Sequence, residues 1–133
     1  EGENPLFLPQ AKVYDDGFGL GPCITILREG SLSKDTKLSL TVLRNGLQIF
    51  HGETTFAKFN RTFDSLAERL FEDRSFPDGV FLSTGTCVVP SNDTVTGMPA
   101  GTIKNWTLEP ADELVIAADQ LGTLSNMVYR MGA

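Results

Sequence analysis

Lys12 follows a rigid, uncharged run, Asn4-Pro5-Leu6-Phe7-Leu8-Pro9-Gln10-Ala11. Its two prolines fix φ and push the residues before them toward extended backbone, so the run is expected to be an ordered, non-helical loop. A lysine set among apolar neighbours can be partly desolvated. Its pKa then falls, and it can shuttle a proton or act as the positive partner of a carboxylate or an enolate. Read from spacing alone, Lys12 is an ordinary surface lysine. Ser83-Thr84-Gly85-Thr86 follows the apolar run Val80-Phe81-Leu82. Such a turn offers backbone N–H groups and hydroxyls to a carboxylate, and Gly85 permits close approach of a ligand; on its own it reads as a strand-ending turn. His51 is the single histidine, so any Ser-His-Asp or Cys-His mechanism would have to use it. With no nucleophile motif nearby, it reads as a hydrogen-bonded structural residue. Asp15-Asp16-Gly17 reads as a solvated turn rather than a metal loop.

The elements that must position these groups are mostly strands. Residues 23–27 and 80–82 are short apolar strand candidates, and Val88-Val89 is a further apolar pair before Pro90. Residues 38–43 and 47–50 alternate apolar and polar around Asn45-Gly46, the strongest short-range hairpin signal. Phe63, Leu66, Ala67, Leu70 and Phe71 fall at helical spacing, with Asn60 or Thr62 available as N-cap. Residues 91–107 are polar and weakly periodic and read as an exposed loop excursion. Residues 114–117 form the next strand, and Gly122 turns the chain afterwards. The result is a β-rich α+β domain with one helix.

With 133 residues and 41% hydrophobic content, the chain suits one globular domain or part of one. A net charge of -6 with scattered basic residues argues against nucleic acid or an anionic membrane as partner. No apolar run approaches the ~20 residues needed to span a bilayer, and a soluble protein is expected. Cys23 and Cys87 are too few for a disulfide scaffold or zinc site and read as buried free thiols in a reducing compartment. Lone Trp106 is weak support for a carbohydrate- or peptide-binding module.

Taken in order, Pro9-Gln10-Ala11-Lys12, Leu20-Gly21-Pro22, Gly52-Glu53-Thr54, residues 81–86 with Val89-Pro90, Leu108-Glu109-Pro110 and residues 121–124 resemble the catalytic domain of the fumarylacetoacetate hydrolase superfamily. The stretch from Glu3 to Lys12 resembles most its 2-keto-3-deoxy-sugar-acid dehydratase branch, the 2-keto-3-deoxy-D-arabinonate dehydratase-like members. The resemblance spans essentially the whole chain. It implies a mixed-sheet β-roll or barrel-like C-terminal fold, truncated on its N-terminal side, with residues 1–133 forming a single partial catalytic domain. The family's catalytic lysine falls on Lys12, its substrate-contacting threonine on Thr86, and the glycine that lets backbone approach substrate on Gly85. Gln10 is carried over as a polar substrate contact. Cys87 departs from the pattern, standing where a second glycine is usual.

The resemblance further implies a magnesium enzyme acting on a 2-keto acid through an enolate, with dehydration of a 2-keto-3-deoxy sugar acid as the expected reaction. The same enolate chemistry serves acylpyruvate C–C hydrolysis and keto-diacid decarboxylation. The family's metal ligands, two glutamates and an aspartate, are expected upstream of residue 1 and absent from this chain. It is then the C-terminal portion of a longer enzyme, inactive by itself; a non-catalytic fragment is the competing expectation. A cytoplasmic homodimer is expected on the same basis.

Overall fold

The computed structural model describes residues 13, 15–26, 28, 32–86, 88–90 and 107–130. Four strands, β1 (Lys37–Arg44), β2 (Leu47–Thr55), β3 (Glu113–Ala118) and β4 (Gly122–Met127), form a sheet of order β2-β1-β3-β4. Every pairing in it is antiparallel. Among the described residues, one α-helix, α1 (Phe63–Phe71), and a 3-10 turn at Phe56–Lys58 complete the regular structure. The β-rich α+β class is therefore observed among the described residues, but as an antiparallel sheet with one helix rather than the mixed sheet expected.

The hairpin forms around Asn45 and Gly46, both at positive φ (52° and 75°), as a two-residue turn matching the right-handed twist of its strands requires. A bulge between Val42 and Leu43 shifts the register opposite Gln48–Phe50. Strand alternation puts Leu38, Leu40 and Val42 on one face, opposite Thr54, Gly52 and Phe50 on one side and Ala118, Ile116 and Leu114 on the other. The core of the described residues is Leu40, Val42, Ile49 and Phe50, with Val88 and Leu114 packed against it. The opposite face is polar: His51 Nδ1 lies 2.9 Å from Thr41 Oγ1, and its Nε2 lies 3.4 Å from Glu53 Oε1. His51 is thus the hydrogen-bonded structural residue expected.

α1 starts where its cap allows. The Thr62 hydroxyl accepts from the Ser65 amide at 3.1 Å, with Asp64 in the first turn and Arg69 in the last, both favourable to the helix dipole. Other expectations are corrected. Residues 23–26, 80–82 and 88–89 contain no strand, and Ile24, Ile26, Phe81 and Val89 are exposed. Apolar β-formers become strand only where a neighbouring backbone supplies ladder hydrogen bonds, and none of the described strands does so for them. Cys23 is an exposed free thiol rather than a buried one, directed at the Leu121 carbonyl oxygen at 3.9 Å. Cys87, Trp106 and nearly all of the expected loop excursion lie outside the described residues.

The end of β1 is tied to the start of β3 by a buried ion pair. The Asp112 carboxylate, 0% exposed, accepts from Arg44 Nε and Nη2, both at 2.8 Å, and from the Glu109 amide at 2.8 Å. Arg44 also donates to Glu109 Oε1 at 2.7 Å and to the Thr107 carbonyl at 3.2 Å. The Arg44 hydrogen bond, helped by the Glu109 amide, holds the Asp112 carboxyl below its usual range against the opposing effect of burial. A lowered folded-state pKa gives stability that is full above the ordinary value of 3.8 and is lost as pH falls through the lowered value. Arg44→Ala strands a buried carboxylate and is expected to cost about 3–5 kcal/mol near neutral pH. Urea denaturation should show that deficit shrinking in acid, where protonation removes the unpaired charge; a deficit independent of pH would contradict the clamp.

Candidate functional site

The Thr84-Gly85-Thr86 turn lines a cavity of about 160 Å³ at the end of the sheet away from the Arg44–Asp112 clamp. Leu38 of β1 and Thr54 of β2, paired in register, form one wall. The turn that follows β2 contributes Phe56, Lys58 and Phe59. Thr55 completes the hydroxyl-bearing lining, so threonines 54, 55, 84 and 86 all face the space.

Each piece is fixed by a local cause. The Phe56 amide donates to the Thr36 carbonyl at 3.3 Å and the Ala57 amide to the Lys34 carbonyl at 2.7 Å, which anchors the 3-10 turn to the residues before β1. Phe63 of α1 packs against Phe56 edge-on and against Phe59 at a tilt, with ring centroids 5.5 Å apart in both pairs. These contacts set the helix against the turn and hold Lys58 at the cavity. Gly85 has φ +92°, a left-handed conformation that L side chains rarely adopt, and its amide donates to Ser83 Oγ at 3.4 Å.

The segment carrying this turn is held against β2 through Val88. A Cβ added at Gly52 would lie 2.5 Å from Val88 Cγ1 and 2.8 Å from Phe50 Cζ. Gly52 therefore lets the 83–90 segment sit against the hairpin, which explains a glycine in the middle of a strand.

Of the four residues expected in the site, Gly85 and Thr86 are brought to the cavity; Lys12 and Gln10 lie outside the described residues. Sequence reasoning missed Lys58, Thr54 and Thr55. Their only signal was position, Thr54 and Thr55 at the end of the hairpin strand that carries Gly52-Glu53 and Lys58 just after it. Asp15-Asp16-Gly17 is an exposed turn, with Asp16 at φ 55°. Tyr129 donates its phenol hydrogen to Asp16, a bond that holds the tyrosine pKa above its usual range.

Chemically, the cavity offers hydroxyls, an ammonium group and two aromatic rings. No carboxylate is among its described lining residues. Among all the described residues there is no group of three or more His, Cys, Asp or Glu side chains that could hold a metal ion. No helix among them is long and apolar enough to cross a membrane.

No family model matches the chain. Over 128 residues it is 32% identical to a probable 2-keto-3-deoxyxylonate dehydratase of Haloferax volcanii, a match covering 96% of this chain and 40% of that protein. Over 93 residues it is 36% identical to 2-dehydro-3-deoxy-D-arabinonate dehydratase of Saccharolobus solfataricus, covering 70% of this chain and 31% of that protein. The chain is similar to 2-keto-3-deoxy sugar acid dehydratases. The solved structures agree. A 2-keto-3-deoxy-D-arabinonate dehydratase complexed with magnesium and 2,5-dioxopentanoate superposes with a TM-score of 0.79 over 96% of this chain and 41% of its own, at 31% identity. The apo form of 2-keto-3-deoxy-D-arabinonate dehydratase gives a TM-score of 0.82 over 100% of this chain and 43% of its own, at 30% identity. This chain thus spans 31–40% of the length of these curated dehydratases.

Gly52→Ala is expected to push Val88 away and displace residues 84–86. In the full-length protein, amide NMR shifts should concentrate at Thr84, Gly85 and Thr86 while the β1–β3 pairing persists. Unchanged signals there would contradict the packing role.

Proposed function

We propose that the chain is part of the catalytic domain of a 2-keto-3-deoxy sugar acid dehydratase of the fumarylacetoacetate hydrolase superfamily. The observation that carries this reading is the superposition of nearly the whole chain on a dehydratase solved with magnesium and 2,5-dioxopentanoate. The hydroxyl-lined cavity at Thr84-Gly85-Thr86 supports it, being a place where a substrate oxygen would be held. Residues 1–133 are read as part of one catalytic domain of a larger β-roll, and homodimerisation belongs to the same reading, carried by the resemblance.

Dehydration of a five-carbon 2-keto-3-deoxy acid needs a proton taken from C3, which the adjacent keto group acidifies, and hydroxide expelled from C4 as water. The resulting C3=C4 alkene shifts through a dienol. Protons leave C5 and its oxygen and are regained at C4 and C3, giving the C5 aldehyde of 2,5-dioxopentanoate. In this scheme the Thr86 hydroxyl and the Gly85 backbone hold the substrate carboxylate. Lys12, outside the described residues, moves the proton or stabilises the enolate. Magnesium is the proposed cofactor of the whole site. Among the described residues no group of three or more His, Cys, Asp or Glu side chains could hold it.

In the full-length protein, Lys12→Ala is expected to lower kcat on 2-keto-3-deoxy-D-arabinonate by about 10²–10⁴-fold with the fold intact. Thr86→Val should lower kcat/KM through lost substrate contact. Steady-state kinetics with circular dichroism checks both; wild-type turnover by Lys12→Ala would refute the lysine's role.

A further inference from the structure

We infer that Lys58 is a substrate-binding residue of this cavity, the cation that selects a carboxylate-bearing ligand. The inference rests on reading the Thr84–Thr86 turn as the substrate site. Three observations support it. Lys58 lines the cavity together with the threonines at 54, 55, 84 and 86, and no carboxylate is among the described lining residues. Among the described residues Lys58 has no ion-pair partner, whereas Arg44, His51 and Arg69 are each engaged by a carboxylate. The turn that carries it is held from two sides, by the backbone bonds to Lys34 and Thr36 and by the Phe56–Phe63 and Phe59–Phe63 contacts.

Charge adds the selectivity. A chain of net charge -6 repels small anions over most of its surface. A cavity lined by Lys58 and four threonines, with no carboxylate among its described lining residues, is a local exception, and donors of this kind are matched by a carboxylate's acceptor oxygens. The flexible lysine stem lets the charge follow ligands of different length, whereas the threonines sit on fixed backbone. Lys58 is therefore assigned binding, and the proton-transfer work is left to other groups. Loss of its charge should weaken ground state and transition state together.

Lys58→Gln and Lys58→Arg in the full-length protein test this in two arms. With 2-keto-3-deoxy-D-arabinonate, Lys58→Gln should raise KM by about 10- to 100-fold, the range expected for a lost charge-assisted hydrogen bond, with kcat changed far less. Lys58→Arg, which keeps the charge, should restore most of the loss. An unchanged KM in Lys58→Gln with wild-type turnover intact would overturn the Lys58 assignment and leave the dehydratase reading standing. The second arm needs no turnover. Pyruvate is titrated while the amide signals of Thr84, Gly85 and Thr86 are followed by NMR. Shifts in wild type and Lys58→Arg that weaken at least tenfold in Lys58→Gln support the assignment, even if the sugar acid is not dehydrated and the functional reading fails. Equal shifts in all three proteins, or none in wild type, overturn it.

Discussion

Asp112 is fully buried, and a carboxylate in that position is tolerable only because the guanidinium fork of Arg44 and the Glu109 amide meet it together. The consequence reaches beyond one ion pair. Arg44 ends β1, Asp112 immediately precedes β3, and these two strands are the middle pair of the sheet. A bidentate contact has one good geometry, so the clamp favours a single register, with Leu43 opposite Glu113 and Val42 opposite Leu114. A slip of one residue would turn the apolar row of β1 toward the polar face. The Ala111 and Val128 amides, which donate to Val128 and Asp112 carbonyls at 2.7 and 2.8 Å, carry the same constraint to the strand end of β4.

With the register set at one end, the cavity at the other end follows. Leu38 meets Thr54, the chain leaves β2 at Thr55, and the short turn delivers Lys58 beside the entry to α1. The facing wall comes from a segment without regular structure, held through Val88 against the space that Gly52 leaves open. Irregular backbone at a ligand site positioned by a regular scaffold is the usual division of labour in binding proteins. Here the scaffold is the hairpin, and the irregular part is the turn with Gly85 at positive φ.

What could be read from the sequence depended on how local its cause was. The hairpin at Asn45 and Gly46, the helix capped by Thr62, the strand over residues 114–117 and the turn at Gly122 are each specified by their own neighbours, and all are observed. Residues 23–26 and 80–82 have strand-like composition but no ladder partner among the described strands, and pairing is a property of two segments rather than one. Gly85 and Thr86 were singled out by the family resemblance, since their turn on its own reads only as the end of a strand. Lys58 was not, because what makes it notable is the company it keeps in space: threonines about thirty residues further along the chain, and aromatic rings that hold its turn. The Arg44–Asp112 pair, 68 residues apart in sequence, was hidden for the same reason.

The central proposal is that this chain is part of an enzyme that removes water from a 2-keto-3-deoxy acid. The most direct test is to incubate the full-length protein with magnesium and 2-keto-3-deoxy-D-arabinonate in D₂O and follow the carbon skeleton by NMR. The account predicts 2,5-dioxopentanoate carrying solvent deuterium at C3 and C4, with all five carbons retained. Pyruvate and glycolaldehyde from C–C cleavage, or unchanged substrate, would contradict it.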